Sequence, residues 1–264
     1  MESKIMNSKT FLENLDALHK EWDDGTPYTR DGVLYHNGET EEQTIQKWLA
    51  SDMRIAFLLK EHNSSDSDDL RYWLKDMPTD NDQATNRKRR NRNLELHPDR
   101  GNKQIFITIA YILWGLLNNA RPYKEANIED VKGLLNTHPF AMVECKKAPG
   151  GARCNEDELE RHILTRGNLL EQELRILKPN IIVCMAKGGE IYTNVKHIMF
   201  PNSAELIESG REWCYGKTTG ELMLNSYHPS YPLRTPVNEK DNEDKYEYCM
   251  NNYRAFLQWK ENSK

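Results

Sequence analysis

The sequence predicts an α/β protein in three layers, α/β/α, with helices on both faces of a central, mostly parallel sheet. Short apolar runs alternate with longer segments whose apolar residues recur at helical spacing, and no internal repeat occurs at any period. Each apolar run has the length of one buried strand of a parallel sheet and ends abruptly in polar residues.

The first fifty residues predict two helices joined by a loop. Apolar residues between positions 8 and 22 recur at helical spacing, whereas residues 23–38 are rich in Asp, Gly and Asn. Thr40 and Gln43 form a capping-box pair, which predicts a second helix to about residue 50. We therefore expect residues 1–50 to form a helical extension packed on an α/β domain that covers residues 51–264.

Four apolar runs predict the buried strands of the sheet. They cover residues 54–59, 140–143, 181–185 and 221–225. Polar or flexible segments follow them, at residues 60–63, 144–147, 187–189 and 227–230. Ligands of open α/β sheets bind outside the carboxyl ends of the strands, so these segments are the predicted site.

Helical patterns separate the apolar runs. The predicted helices cover residues 66–76, 102–119, 127–135 and 155–177, a segment after Gly189, and residues 241–260. Asn155 and Glu158 form a capping box for the helix over 155–177, and Gly167 is expected to interrupt it.

The longest apolar run, residues 105–117, is shorter than the roughly 18 residues that cross a bilayer, so it predicts a buried helix. Because the N-terminus carries no signal-peptide pattern either, we expect a cytoplasmic protein without a membrane partner. We also expect a monomer.

Charge is unevenly distributed along the chain. The net charge is −5, but residues 87–103 carry seven basic and two acidic side chains. The densest part is the run of Arg87, Lys88, Arg89, Arg90 and Arg92. In an acidic protein such a basic run indicates either a local site for a polyanion or an ordinary solvated face.

Metal and cofactor sites have little support in the sequence. The five cysteines are widely spaced without a C-x-x-C pair, so free thiols are expected, and a four-cysteine iron–sulfur site stays open as the alternative. The sequence contains no phosphate-binding loop, no H-E-x-x-H motif and no dinucleotide-binding glycine pattern. We therefore predict neither a cofactor nor a metal.

Two carboxylates and one histidine follow predicted strands. Glu61, Glu144 and His228 come after the first, second and last apolar runs. Such a set at one sheet edge can orient water and stabilise a leaving anion, which predicts a hydrolytic site. The alternative is that they are surface carboxylates and a turn histidine that hydrogen-bond to the backbone.

Two short motifs stand at these strand ends. Leu58-Leu59-Lys60-Glu61-His62-Asn63 follows the first strand, and His228-Pro229-Ser230 follows the last. A helix and then a strand over residues 169–183 lie between them. In their order and strand context, these features resemble the uracil-DNA glycosylase superfamily over residues 50–235. The resemblance implies a DNA glycosylase, which flips a base out of the stack and cleaves its N-glycosidic bond to leave an abasic site.

The resemblance also implies roles for the matching residues. Glu61 matches the residue that handles the attacking water, and His228 matches the histidine that hydrogen-bonds the departing base. The implied base-binding residues are Glu144, Tyr72, Trp73, His62 and Asn63, with Tyr72 or Trp73 stacking on the flipped base. The implied DNA-binding residues are Ser230, Tyr231, Leu233, Arg234, Lys146, Lys147 and the basic run Arg87–Arg92, with Leu233 as the wedge in the duplex.

Two positions depart from the family pattern. His62 stands where the family usually has proline, and Glu144 stands where an asparagine usually reads the edge of uracil. An ionised carboxylate accepts hydrogen bonds and cannot donate them, so Glu144 favours the N4 amine of cytosine over the O4 of uracil. Because removal of plain cytosine would destroy the host genome, we expect a modified cytosine, such as glucosylated hydroxymethylcytosine in phage DNA, excised in antiviral defence.

Three alternatives stay open at this point. The first is a uracil or mismatch glycosylase of base-excision repair. The second is a catalytically inactive, glycosylase-like DNA-binding module, which the missing motif proline favours. The third is an unrelated α/β hydrolase or transferase that acts on nucleosides.

Overall fold

Helices and strands alternate along the chain. The computed structural model describes residues 7–63, 66–75, 103–150, 155–186, 189–231, 233 and 239–263. The helices are α1 (Ser8–Trp22), α2 (Glu41–Ala50), α3 (Lys103–Leu117), α4 (Ile128–Thr137), α5 (Glu156–Leu177), α6 (Glu190–Met199) and α7 (Glu239–Asn262). The strands are β1 (Thr29–Arg30), β2 (Gly32–Val33), β3 (Ile55–Asn63), β4 (Asp68–Asp69), β5 (Phe140–Gly150), β6 (Ile181–Met185), β7 (Leu206–Ser209), β8 (Trp213–Gly216) and β9 (Leu222–Ser226).

Seven of these strands form one mixed sheet in the order β2-β5-β3-β6-β9-β8-β7. Its four central strands, β5, β3, β6 and β9, run parallel and contain the four predicted apolar runs except their first residues Arg54 and Glu221. The edges are antiparallel, because β2 pairs with β5 on one side and β8 and β7 follow β9 on the other. The prediction of a central, mostly parallel sheet is thus confirmed.

Helices cover both faces of the sheet, which makes three layers. Alternate residues of β3 face opposite cores, as expected for a strand buried on both sides. Phe57 and Leu59 pack in the core with residues of α3, α4 and α7. Ala56 and Leu58 pack in the core with residues of α1, α2, α5 and α6.

Polar side chains begin several helices as the sequence predicts. Thr40 and Gln43 form the complete capping box at α2, and the side chain of Asn155 accepts a hydrogen bond from the backbone N–H of Glu158 at α5. The predicted break of α5 at Gly167 is wrong, since the helix is continuous. A Cβ at Gly167 would lie 2.8 Å from Cδ1 of Ile198, so this glycine lets α6 pack closely.

Several strand predictions are wrong in extent. β3 continues to Asn63 and β5 to Gly150, because the backbone pairing of the two strands persists through polar residues. The predicted loop over 23–38 contains β1 and β2, and β7 and β8 were not predicted. Residues 66–76, predicted as a helix, include the short strand β4 and a 3-10 helix over Leu70–Tyr72.

The segment before residue 51 packs on the core and also extends the sheet. Its helices bury Phe11, Leu15 and Trp48 against residues of the sheet, and its strand β2 pairs with β5. The indole N–H of Trp48 donates to the carbonyl oxygen of Leu177, at 3.0 Å, which ties this segment to the end of α5.

None of the helices in the described ranges is both long and apolar enough to cross a membrane.

Candidate functional site

The carboxyl ends of the four parallel strands meet at one edge of the sheet. We call this edge, with the residues that directly follow the strands, the carboxyl edge. Glu61 and His62 lie near the end of β3, Lys146 lies towards the end of β5, and the loop of His228 follows β9. The strand order changes direction between β3 and β6, where open α/β sheets form a ligand crevice. The carboxyl edge is therefore the candidate site.

An ion pair joins the predicted water-handling residue to its neighbouring strand. Glu61 and Lys146 are register partners, and Oε2 of Glu61 lies 2.6 Å from Nζ of Lys146. Their side chains are only 5% and 6% exposed. Lys146 also contacts Glu158, at 2.7 Å, whose side chain is 51% exposed. The ammonium of Lys146 thus has one buried and one solvent-exposed carboxylate partner, and it contacts these rather than standing open to a phosphate.

The surroundings of this pair stabilise the charge of Lys146 and leave space for the side chain of Glu61. Burial lowers the pKa of Lys146, but hydrogen bonds to Glu158 and Glu61 outweigh it and raise the pKa above its ordinary value. A Cβ at Gly150 would lie 2.1 Å from the carboxylate of Glu61. The glycine therefore provides the space that the carboxylate of Glu61 occupies.

The loop after β9 holds His228 in one orientation. The backbone N–H of Ser230 donates to Nδ1 of His228, at 3.2 Å. Burial first, and then the positive charges of Lys60 and Lys245, lower the pKa of His228 to about 4. A neutral imidazole that accepts at Nδ1 carries its proton on Nε2, so His228 presents one N–H donor.

Two residues of helix α7, which the sequence analysis missed, hydrogen-bond to the backbone of this loop. Nζ of Lys245 donates to the carbonyl oxygen of Pro229, at 2.8 Å, and pairs with Asp241, also at 2.8 Å. Asp241 accepts a hydrogen bond from the backbone N–H of Leu233, at 2.6 Å. Both side chains are buried. The only available signal was their i, i+4 spacing on a predicted helix, which is common without function.

Of the two aromatic candidates, Trp73 lies at the carboxyl edge. Its ring meets that of His62 edge-on, with centroids 5.0 Å apart. Asp68 joins the two, because its Oδ2 lies 3.1 Å from Nε2 of His62 and accepts from the indole N–H of Trp73 at 3.3 Å. Burial lowers the pKa of His62, although Asp68 opposes this effect.

Tyr72 lies with the N-terminal segment instead. Its ring contacts Tyr35 edge-on at 5.0 Å, and its hydroxyl donates to the carboxylate of Glu41. The structure therefore brings Trp73, and not Tyr72, next to the end of β3. Asn63 ends β3 opposite Gly150, and its side chain lies outside the described part of the structure.

Glu144 is a buried carboxyl group rather than an open carboxylate. Glu144 is 3% exposed, and its Oε2 has no hydrogen-bond partner among the described residues. Burial first, and then the negative charges of Asp31 and Glu61, raise the pKa of Glu144 to about 8, although Lys147 opposes them. This raised pKa favours the protonated acid in the folded protein, and a protonated carboxyl group can both donate and accept a hydrogen bond. The sequence-based argument assumed an ionised Glu144, which the raised pKa opposes, and the preference for cytosine over uracil stays a prediction.

Lys147 does not lie on the surface, in contrast to the prediction of a phosphate contact. Its side chain is 1% exposed, and its Nζ lies 2.5 and 2.6 Å from the two carboxylate oxygens of Asp31 and 2.8 Å from Oε2 of Glu173. The alternation of β5 explains the difference, because neighbouring residues Lys146 and Lys147 point to opposite faces of the sheet.

The same cluster is the group of described residues closest to a metal site. His19, Asp31 and Glu173 each offer one ligand atom, and these atoms lie within 4.8 Å of one another. The ammonium of Lys147 already contacts both carboxylates and supplies the positive charge that a metal would bring. We therefore assign no metal to it. The described cysteines 145, 184, 214 and 249 are free and buried.

The loop predicted to contact DNA is partly described. Ser230 is exposed, and Tyr231 and Leu233 are half-buried. Arg234 and the basic run Arg87–Arg92 lie outside the described residues. Their predicted contacts with phosphates stay predictions.

A groove of about 370 Å³ lies at the opposite end of the sheet. Arg54, Asn180 and Glu221, which line it, directly precede β3, β6 and β9. The guanidinium of Arg54 is already engaged, since its Nε donates to the carbonyl oxygen of Lys178 at 2.7 Å. We place the candidate site at the carboxyl edge because Glu144 and His228, two titratable groups with strongly altered pKa, lie on strands or loops there.

Comparison of the sequence with protein-family models and with curated proteins finds no match.

Proposed function

We propose that this protein is a DNA glycosylase, which hydrolyses the N-glycosidic bond of a flipped pyrimidine and leaves an abasic site. The observation that carries the proposal is the orientation of His228. A neutral imidazole with its proton on Nε2 stands at the carboxyl edge, on the loop that also presents Ser230. This geometry supports an acid or hydrogen-bond donor for a leaving group that develops negative charge.

In the proposed reaction His228 donates from Nε2 to the O2 atom of the departing base. As the bond to C1′ lengthens, electrons move onto the base, and the donor stabilises the resulting anion. Lys245 keeps His228 in place through Pro229, and its positive charge also disfavours a second proton on the imidazole. Removal of one such preorganised donor costs about 10²–10³ in rate in comparable anion-stabilising sites.

Glu61 faces the sugar in this proposal. The sugar gains positive charge as the base leaves, and a carboxylate can stabilise that charge and orient the water that attacks C1′. In the structure one oxygen of Glu61 contacts Lys146. Because Glu158 offers Lys146 a second partner on the solvent side, a small shift of the ammonium towards Glu158 frees Glu61 for substrate.

The base is expected to be a pyrimidine, read by Glu144. A neutral carboxyl group pairs with cytosine by donating to N3 and accepting from the N4 amine. It pairs equally with uracil by donating to O4 and accepting from N3–H. We propose a modified cytosine as the substrate, because excision of plain cytosine would damage the host genome, and uracil as the alternative.

A non-catalytic DNA-binding module is the second candidate. The Glu61–Lys146 ion pair favours it, because a carboxylate held by a buried ammonium at 2.6 Å has one oxygen fewer for water. This candidate shares the exposed Ser230 loop and the sequence-predicted basic run, but it requires no base release.

A base-release assay separates the two candidates. The protein is incubated with uracil-containing DNA, unmodified DNA and phage DNA that carries glucosylated hydroxymethylcytosine, and abasic sites are cleaved with alkali. The variants are Glu61→Gln and His228→Ala, with the exposed residues Glu160→Gln and His197→Ala as matched controls.

We expect cleavage of the modified DNA that both site variants lose by a factor of about 10² or more and both controls retain. Cleavage of the uracil substrate alone identifies a repair-type activity of the same site. Binding of all three DNAs without any abasic site refutes the glycosylase and leaves the binding module.

A further inference from the structure

The segment over residues 29–33 lies between two parts of the candidate site, and we call it the bracing segment. Its strand β1 pairs with β4, with Thr29 opposite Asp68, and its strand β2 pairs with β5, with Gly32 opposite Met142. Gly32 has a φ of 128°, and a Cβ there would lie 3.1 Å from Cδ2 of Leu15. The chain thus turns sharply between its two pairings, at the residue next to Asp31.

Asp31 makes contacts from this turn to two residues of β5. Its Oδ2 accepts a hydrogen bond from the backbone N–H of Glu144 at 2.6 Å and lies 2.6 Å from Nζ of Lys147. The side chain of Asp31 is fully buried. One carboxylate therefore bonds to β5 on both sides of Lys146, the partner of Glu61.

The charges around Glu144 come from several elements. Asp31 faces it from the bracing segment, Glu61 from β3, and Lys147 lies on its own strand. Asp31 in turn contacts the ammonium of Lys147, which also pairs with Glu173 of α5, and Nε2 of His19 of α1 lies 3.9 Å from Oδ1 of Asp31. Of the charges that act on Glu144, that of Asp31 has the largest effect. Ionisation of Glu144 would therefore add a second buried negative charge that the charge of Asp31 opposes.

We propose that Asp31 is a positioning residue for the candidate site, because its carboxylate holds the backbone of Glu144 and the ammonium of Lys147 and so places the segment of β5 that carries Glu144 and Lys146. Strand β1 positions Asp68 in the same way, because it pairs with β4, and Asp68 contacts His62 and Trp73. The bracing segment is thus part of the site rather than an appendage to it. Only the consequence for base release rests on the proposed function.

The first test is a carboxyl titration of Glu144 by ¹³C NMR in three proteins. The variant Asp31→Asn keeps an acceptor for the N–H of Glu144 and removes the negative charge. Glu173→Gln is the matched control, since it removes a charge of the same cluster at the same depth without a contact to Glu144. We expect the pKa of Glu144 to fall by about one or more in Asp31→Asn and to stay near 8 in Glu173→Gln. Equal pKa values of Glu144 in all three proteins would show that the charge of Asp31 does not act on Glu144 and would overturn the electrostatic link between the two residues.

A second measurement uses the unaltered protein, so it holds even where Asp31→Asn fails to fold. Burial first, and then the charge of Glu173, raise the pKa of Asp31 to about 6. Protonation of Asp31 weakens its hydrogen bond to the N–H of Glu144, so the amide ¹H shift of Glu144 should titrate near pH 6. An amide shift that stays constant through this range would contradict the contact.

A third measurement, the rate of base release, is independent of the two NMR titrations. If the protein releases bases, Asp31→Asn should lower the rate about tenfold or more and move its alkaline limb to lower pH, whereas Glu173→Gln should leave that limb in place. If it releases none, the two NMR measurements still decide whether Asp31 positions Glu144.

Discussion

Replacement of Glu144 by glutamine tests whether this side chain is protonated in the folded protein. Burial, Asp31 and Glu61 raise its pKa from the ordinary 4.5 to about 8, against the opposing charge of Lys147. Between these two pH values the folded protein holds a proton that the unfolded chain has released. The free energy of unfolding therefore falls as pH rises, by about 1.4 kcal/mol per pH unit, and the loss is complete above the folded pKa. At pH 7 this amounts to about 3 kcal/mol.

Glutamine has nearly the same shape and no charge, so Glu144→Gln removes this pH-dependent loss. We expect the variant to gain little over the unaltered protein at about pH 5 and to gain about 3 kcal/mol at pH 7, as measured by urea denaturation at a series of pH values. The exposed Glu160→Gln serves as the control and should show the same pH dependence as the unaltered protein.

The refuting result is a difference between Glu144→Gln and the unaltered protein that is constant with pH. A constant offset reports only how well the amide packs in place of the carboxyl group. It would mean that Glu144 is ionised in the folded protein at neutral pH, and the conclusion that it can pair with both pyrimidines would then fail.

Three further predictions concern the rest of the site. Gly150→Ala places a methyl group where the carboxylate of Glu61 lies and should reduce base release at least about tenfold, whereas Gly133→Ala, whose Cβ meets open space on α4, should keep activity and stabilise the protein by up to about 1 kcal/mol in thermal unfolding. Lys245→Met removes the ammonium from a buried pair and should lower the free energy of unfolding by about 3–5 kcal/mol, so unchanged stability would contradict the pairing. Replacement of the basic residues within Arg87–Arg92 by glutamine should weaken DNA binding and make its salt slope shallower by about 0.9 for each phosphate that the run neutralises, and an unaltered salt slope would exclude this run from the interface.

The core of the fold could be predicted because its signals are local. An apolar run of four to six residues identifies a strand buried on both faces, and each of the four runs coincides with a parallel strand of the sheet to within one residue at its start. The ends of β3 and β5 could not be predicted in the same way. Their last residues, including Glu61 and Lys146, are charged, and what keeps them in strands is backbone pairing with a partner 85 residues away.

The antiparallel strands were missed for a related reason. β7 and β8 are four residues each, and β2 has only Gly32 and Val33, which is too short for any periodic pattern. Asp31, which directly precedes β2, belongs to a segment whose Asp and Gly content is typical of a loop. Its position in the site follows only from the pairing of β2 with β5, which is a tertiary contact.

The motifs identified residues of the candidate site but not their protonation, and protonation decides what the site can recognise. From the sequence, Glu144 is a carboxylate that can only accept. In the fold its backbone N–H donates to Asp31, which is 113 residues away in the chain, and burial together with the negative charge of Asp31 raises the pKa of the Glu144 side chain. Asp31 has Lys147 as a cationic partner, so the proton goes to Glu144. A proton on Glu144 removes the preference for cytosine over uracil that a charged Glu144 would impose, so the proposed glycosylase would have to discriminate through contacts to the modification of the base rather than through its Watson–Crick edge.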